Sequence, residues 1–98
     1  DAALAGAVAR EVAEQVASLP RRELAEAALA NGTALIVDDL AETAEIANLY
    51  APEHLCLAVD DAEALVPAIR NAGAVFAGHA AAETLGDYLA GSSHVLPT

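Results

Sequence analysis

The chain has 98 residues, of which 56% are hydrophobic and 3% aromatic, so it is long enough for one domain with a thin, alanine-rich core. Its formal net charge of −11, with four arginines and no lysine, argues against binding a nucleic-acid backbone or an anionic membrane, since both need a basic surface. A single cysteine excludes an intramolecular disulfide, and the lack of a basic leader or of an apolar run of about 18 residues makes the cytoplasm the expected location.

Two helices are predicted over residues 1–31. Apolar side chains recur every four residues in the first, which indicates a helical stripe over about residues 2–18. The stripe consists of Leu4, Val8, Val12 and Val16. Pro20 fits the first turn of the second helix, where its missing N–H is not needed. Asn31 and Gly32 end that helix with residues that tolerate a positive φ.

Apolar runs and helix-start signals alternate in the rest of the chain. Residues 33–37 form a short apolar run that is typical of a strand covered on both faces. Asp39 with Glu42 three residues later resembles a capping box and predicts a helix start. That helix should end near Tyr50, because Pro52 disfavours helical geometry at the residue before it.

Two further strands are predicted, over residues 55–59 and 74–77. Asp60 with Glu63 repeats the helix-start signal between them, and the helix should end at Gly73. The alternation of strands and helices with short links predicts parallel pairing of the strands and right-handed crossovers.

The predicted fold class is therefore α/β, with a short parallel sheet of about three strands. It would be an incomplete Rossmann-like half with helices on both faces, built from a βαβαβ unit at residues 32–78. Residues 79–98, which begin with a short helix around residues 81–85, are expected to be an active-site loop region. Because so short a sheet would have two bare edges, residues 1–98 are interpreted as one segment of a larger domain. The six glycines do not form G-x-G-x-x-G, so no residue is assigned to cofactor binding.

Two segments combine a carboxylate and an imidazole with Pro or Gly, at positions expected to be loops or element ends. The first, YAPEHL at residues 50–55, contains Glu53 and His54. The second, GDYLAGSSHVLPT, contains Asp87 and His94. An adjacent Glu and His can divide acid and base work near neutral pH. An Asp and a His on one loop can bind a metal or a polar substrate.

Spacing alone leaves structural roles open for these residues. Ligands of parallel sheets bind at the carboxyl ends of strands, whereas His54 is expected at an amino end, so geometry favours a hydrogen-bonded structural pair with Glu53. Asp87 could simply cap a turn, and His94 could be a surface imidazole. The charge of the chain likewise fits either a cationic substrate or mere solubility.

Taken together, the two segments closely resemble histidinol dehydrogenases, the zinc- and NAD-dependent enzymes that end histidine biosynthesis. The resemblance implies that Glu53 activates a water and that His54 is the general base that takes a proton from the substrate alcohol. The resemblance therefore favours a catalytic role for Glu53 and His54 over the structural role that their spacing alone favours. It also implies that Asp87 is a zinc ligand and that His54, Asp87 and His94 contact the substrate.

The same resemblance implies partners that this chain does not supply. Zinc takes about four ligands, and the family's other ligands, a glutamine and two histidines, have no matching position here. The full-length enzyme is expected to be a homodimer that binds zinc and NAD, whereas the chain alone is expected to bind zinc weakly or not at all. The implied reaction oxidises L-histidinol to histidinal and then to L-histidine, with two NAD reduced.

The sequence departs from the family's pattern at a few positions. Cys56, expected to be a small buried residue, stands where a polar or acidic residue is usual. Two alanines precede Glu83 where Thr-Pro is usual, and Ser93 stands where Asn is usual, which bears on the hydrogen bonding of the second segment. His79 has no counterpart and is interpreted as an exposed loop histidine.

Two other classes of function stay open. A stand-alone acidic α/β module, natural or engineered, could serve as a scaffold or interaction domain without catalysis. A single-metal hydrolase is a weaker third alternative. A longer sequence with the remaining metal ligands would distinguish the dehydrogenase from both.

Overall fold

The computed structural model describes residues 1–84 and divides the chain into two compact units, one of residues 1–38 and one that starts at Asp39. The described helices and strands are, in chain order, α1 (Ala2–Ala17), α2 (Arg22–Leu29), α3 (Leu40–Tyr50), β1 (His54–Leu57), α4 (Ala62–Leu65) and β2 (Ala74–Ala77). The predicted α/β class and parallel pairing are confirmed. The sheet has two strands within the described residues, not the three or so that were expected.

The first unit contains the predicted pair of helices. Asp1 caps α1, because its Oδ1 accepts hydrogen bonds from two backbone N–H groups of the first turn, at 2.8 and 3.3 Å. The apolar stripe is only partly buried: Val16 is buried, but Leu4 and Val8 are 62% and 52% exposed. Pro20 precedes α2 rather than lying in its first turn, since the helix starts at Arg22.

The strand predicted over residues 33–37 is not formed within the part of the chain that is described. Leu35 and Ile36 in this run are 63% and 59% exposed. The prediction was wrong because it rested only on the apolar residues of the run. Apolar residues indicate that a segment tends to be buried, but they do not indicate that a neighbouring strand is available for pairing. A strand needs a partner that accepts and donates its backbone hydrogen bonds.

Helix α3 starts and ends as the sequence predicts. The Asp39 Oδ1 accepts a hydrogen bond from the backbone N–H of Glu42 at 2.8 Å, which confirms the predicted cap. The helix ends at Tyr50, and Ala51 adopts the left-handed conformation with φ 52° and ψ 58°. Pro52 follows immediately, so the chain leaves the helix axis, and three residues separate the helix end from β1.

Strands β1 and β2 are parallel, in a register that pairs His54 with Ala74 and Leu57 with Ala77. Successive side chains of a strand point to opposite faces. His54 therefore shares one face of the sheet with Phe76 of β2, and Leu57 lies on the other face, where it is 6% exposed.

The connection between the strands differs from its prediction. Helix α4 has four residues and passes into a 3₁₀ turn at Val66–Ala68, instead of continuing to Gly73. Pro67 explains the early end, because it has no N–H to donate to the carbonyl four residues earlier, as an α-helix requires. The N-cap is Asp61 and not Asp60, and its side chain makes no capping hydrogen bond.

Few apolar residues are buried in either unit, as the alanine-rich composition predicts. Val16 is buried in the first unit, and Ala44, Leu57 and Ala62 are buried among the described residues of the second. Exposed large apolar residues include Leu49 and Tyr50 at the end of α3, at 87% and 82%. No helix among the described residues is long and apolar enough to cross a membrane.

Candidate active site

Glu53 and His54 lie where the chain passes from the end of α3 into β1. Glu53 is exposed and occupies a bend, and His54 is the first residue of the strand. The backbone here is fixed to the start of β2, because the Glu53 carbonyl accepts a hydrogen bond from the Ala74 N–H at 2.9 Å. The prediction that His54 lies at the amino end of a strand is confirmed. Its side chain is 29% exposed, so it is partly enclosed while Glu53 faces solvent.

The His54 imidazole lies between an aromatic ring and a carboxylate. The ring of Phe76 on β2 is tilted by 52° against it, with 6.0 Å between the ring centroids. The second contact of the imidazole is with Glu83, a residue of the segment after β2, whose Oε1 lies 3.3 Å from Nδ1 of His54. The other ring nitrogen, Nε2, is shielded from solvent. The imidazole is thus held in place by residues far from it in the sequence.

Asn48 fixes the end of α3 against the segment that leads into β2. Its side chain is buried, its Nδ2 donates to the Ala68 carbonyl at 2.9 Å, and its Oδ1 accepts from the Arg70 N–H at 2.6 Å. Since α3 leads directly to Glu53 and His54, this amide sets the position of the motif relative to β2. Sequence analysis did not single out Asn48 or Glu83. An asparagine in a helix and one acidic residue among 15 give no signal of their own.

His79 and Cys56 differ in how they match their predictions. His79 is exposed, as expected, and its Nε2 lies 3.3 Å from Oδ1 of Asp60, the residue that was expected to start α4. Cys56 is exposed, so the prediction of a buried thiol was wrong. The cause is strand alternation: Cys56 shares the open face of the sheet with His54, whereas the covered face holds Leu57.

Asp87 and His94 lie outside the described residues, so their predicted roles in zinc and substrate binding stay predictions. Within residues 1–84, no group of three or more His, Cys, Asp or Glu side chains is placed to hold a metal ion. The described residues therefore do not by themselves fit a zinc site, and no step of a mechanism is derived through a metal here.

A sequence profile of the family described as histidinol dehydrogenase matches residues 1–98. The chain belongs to the histidinol dehydrogenase family. The match extends over the whole chain, including the helices at residues 1–31, whose sequence resembled the family only in pattern.

Individual proteins with the same description agree with the family match. Histidinol dehydrogenase from Aromatoleum aromaticum is 54% identical over 99 residues, which cover 100% of this chain and 23% of that protein. The protein from Thermus thermophilus is 48% identical, with 100% and 24% covered. The crystal structure of histidinol dehydrogenase from Elizabethkingia anophelis superposes with a TM-score of 0.82 at 39% identity, over 91% of this chain and 21% of that one. The chain thus spans less than a quarter of the length of the relatives it matches.

The comparisons decide between the classes of function that the sequence left open. Relatives and solved structure alike carry the name histidinol dehydrogenase, so the comparisons favour a segment of a protein of that family. A stand-alone scaffold module is not favoured.

Proposed function

We propose that this chain carries the acid–base residues of an enzyme that oxidises L-histidinol to L-histidine in two steps, each with hydride transfer to NAD. The observation that supports the proposal best is the placement of His54. It lies in the family's motif, directly after Glu53, with its ring partly enclosed and its Nδ1 beside a carboxylate. A surface imidazole of no function needs none of these features.

His54 is proposed as the general base of the oxidations. In the first step it takes the proton of the substrate hydroxyl while the hydride leaves the same carbon for the nicotinamide, and an aldehyde forms. Proton transfer by a positioned imidazole is worth about 100- to 10,000-fold in rate. Because the imidazole is in contact with Phe76 and Glu83, the ring is already oriented before the substrate binds, so less entropy is lost in reaching the transition state.

Glu53 is proposed to act in the second step. Its exposed carboxylate takes a proton from a water, whose oxygen adds to the aldehyde carbon, and the same proton passes to the former carbonyl oxygen to give a hydrated aldehyde. A second hydride transfer from that carbon to NAD, with a hydroxyl proton passing to His54, then produces the carboxylic acid. Two neighbouring residues thus serve two different proton transfers, one from the alcohol and one from water.

Zinc and NAD are proposed for the full-length enzyme, with Asp87 as one zinc ligand and His94 in the substrate pocket, on the strength of the two motif segments. Zinc, when bound, orients the amine and imidazole of the substrate. The remaining ligands and the NAD site are assigned to other parts of the full-length polypeptide. A homodimer in the cytoplasm is proposed for that enzyme, and the single cysteine fits a reducing compartment.

The proposal is tested in the full-length polypeptide by comparing His54→Ala with His79→Ala. Steady-state NADH formation from histidinol should fall by about 100- to 10,000-fold in the first variant. It should be unchanged in the second, because His79 is exposed and pairs with Asp60 away from the motif. Melting temperatures of both variants establish that they are folded. A His54→Ala enzyme with full turnover would remove the catalytic role of the motif.

A further inference from the structure

Glu83 is the residue that the structure adds to the candidate active site. Its Oε1 lies 3.3 Å from Nδ1 of His54, although the two residues are 29 positions apart in sequence, and its side chain is 51% exposed. We propose that Glu83 is a positioning residue for catalysis, which keeps the proton of the neutral His54 ring on Nδ1. The inference rests on the proposed role of His54 as the base.

An ionised carboxylate has no proton to donate and can only accept hydrogen bonds. It therefore favours a proton on the ring nitrogen that faces it. With Nδ1 of His54 protonated, Nε2 carries the lone pair. Because Nε2 is shielded from solvent, it would accept a proton only from a substrate bound directly against the ring. After the transfer the ring is a cation, and the negative charge of Glu83 next to Nδ1 stabilises it. Glu83 thereby acts on the reaction through His54 without touching the substrate.

The backbone after β2 is shaped to place Glu83 next to this ring. Gly78 ends the strand with φ at +102°, a conformation that residues with a Cβ rarely adopt. Its N–H donates to the Leu57 carbonyl at 2.9 Å, and its carbonyl accepts from the Ala81 N–H at 3.2 Å, which closes a turn. The first of these hydrogen bonds ties the segment that carries Glu83 to the end of β1, the strand that begins with His54.

The decisive experiment is a double-mutant cycle in the full-length polypeptide, with kcat and KM for histidinol measured for Glu83→Gln, His54→Ala and the double variant. Gln has nearly the same shape as Glu but no charge, and its NH₂ group can turn toward Nδ1 and favour the other tautomer. Losing an oriented partner of this kind costs about 10- to 100-fold in activity. The loss should appear in kcat with KM nearly unchanged, because Glu83 does not bind substrate.

The double variant separates positioning from any independent role. If Glu83 acts only through His54, then adding Glu83→Gln to His54→Ala should cause no further loss. Losses that multiply in the double variant would overturn the inference, because Glu83 would then act elsewhere. So would a Glu83→Gln enzyme with full kcat. Glu63→Gln is the matched control, since Glu63 is also exposed but lies on α4.

Two further measurements keep the result unambiguous. Melting temperatures should match the parent, and if Glu83→Gln does not fold, Glu83→Ala takes its place in the cycle with the same criteria. His54→Ala alone tests the proposed function. If it is fully active, that function fails, whereas an inactive His54→Ala beside a fully active Glu83→Gln refutes only the role of Glu83.

Discussion

Asn48 and Asn71 are joined by two hydrogen bonds in which Asn71 is the donor both times. The Asn71 backbone N–H donates to the Asn48 Oδ1 at 3.1 Å, and the Asn71 Nδ2 donates to the Asn48 carbonyl at 2.9 Å. These bonds connect the last turn of α3 to the segment that enters β2. The same two elements flank the Glu53–His54 motif, so the amide pair is a structural support of the candidate site.

Replacing Asn48 by Ala should lower the free energy of unfolding of the chain by about 1–3 kcal/mol, because the partners of a buried amide lose their hydrogen bonds. The affected groups are the N–H of Arg70, the N–H of Asn71 and the carbonyl of Ala68. Urea unfolding measures the change. Asn31→Ala is the control, since Asn31 is exposed and should stay within about 0.5 kcal/mol. Equal losses of stability for the two substitutions would contradict the conclusion that the buried Asn48 side chain stabilises this region.

Ala51→Gly should stabilise the chain by about 0.5–1 kcal/mol. Ala51 has a φ of +52°, where a Cβ costs about 1–2 kcal/mol, and glycine removes that cost at the smaller expense of a more flexible unfolded chain. Urea unfolding again gives the measurement. The matched control is Ala13→Gly in the middle of α1, which should instead destabilise by about 1 kcal/mol. If Ala51→Gly also destabilises, the left-handed conformation at the end of α3 is wrong.

Asp39→Ala should cost about 1 kcal/mol of stability, because it removes the side-chain acceptor of the Glu42 N–H at the start of α3. Asp61→Ala offers an internal comparison, because Asp61 is the N-cap of α4 but makes no capping hydrogen bond. Its substitution should cost clearly less. Thermal unfolding of both variants under the same buffer conditions measures the difference. A larger loss for Asp61→Ala would show that the cap at Asp39 is not formed.

Glu53→Gln in the full-length polypeptide should impair the second oxidation more than the first. Glu53 is proposed to activate water, which only the aldehyde step needs. NADH formation from histidinal should therefore fall by about 100-fold or more, the lower end of the range for a lost general base. Oxidation of histidinol to histidinal, followed in a single turnover, should be much less affected. Equal losses in both steps would assign Glu53 to binding or folding.

Local signals in the sequence were enough for most of the second unit. The cap at Asp39, the helix end before Pro52 and the strand at residues 74–77 follow from residue chemistry within a few positions, and all three are confirmed. Local signals failed where a distant neighbour decides the outcome. Residues 33–37 have the apolar pattern of a strand but find no pairing strand among the described residues. Pro67 shortened α4 against an otherwise helical pattern.

The candidate site divides in the same way. Glu53 and His54 were identified by the motif that contains them, whereas Glu83 is placed beside His54 only by the turn after β2 and by the parallel register of the strands. A contact between residues 29 positions apart has no signature in a single sequence. The exposure of Cys56 depends on which face of the sheet is covered, and the apolar run around it does not contain that information.

The 98-residue chain on its own should neither oxidise histidinol nor bind zinc tightly. It spans 23% of the histidinol dehydrogenase from Aromatoleum aromaticum, and by resemblance it contains one of the family's zinc ligands, Asp87. A single carboxylate with the imidazoles of His54 and His94 supplies too few ligands for a closed site of about four. The chain should therefore produce no NADH from histidinol, NAD and zinc under conditions in which the full-length enzyme turns over. Competition with a chromophoric chelator should detect no tight zinc binding, and Asp87→Asn is the control for any weak binding that is found. NADH production by the chain alone would mean that the residues needed for both cofactors lie within these 98 positions.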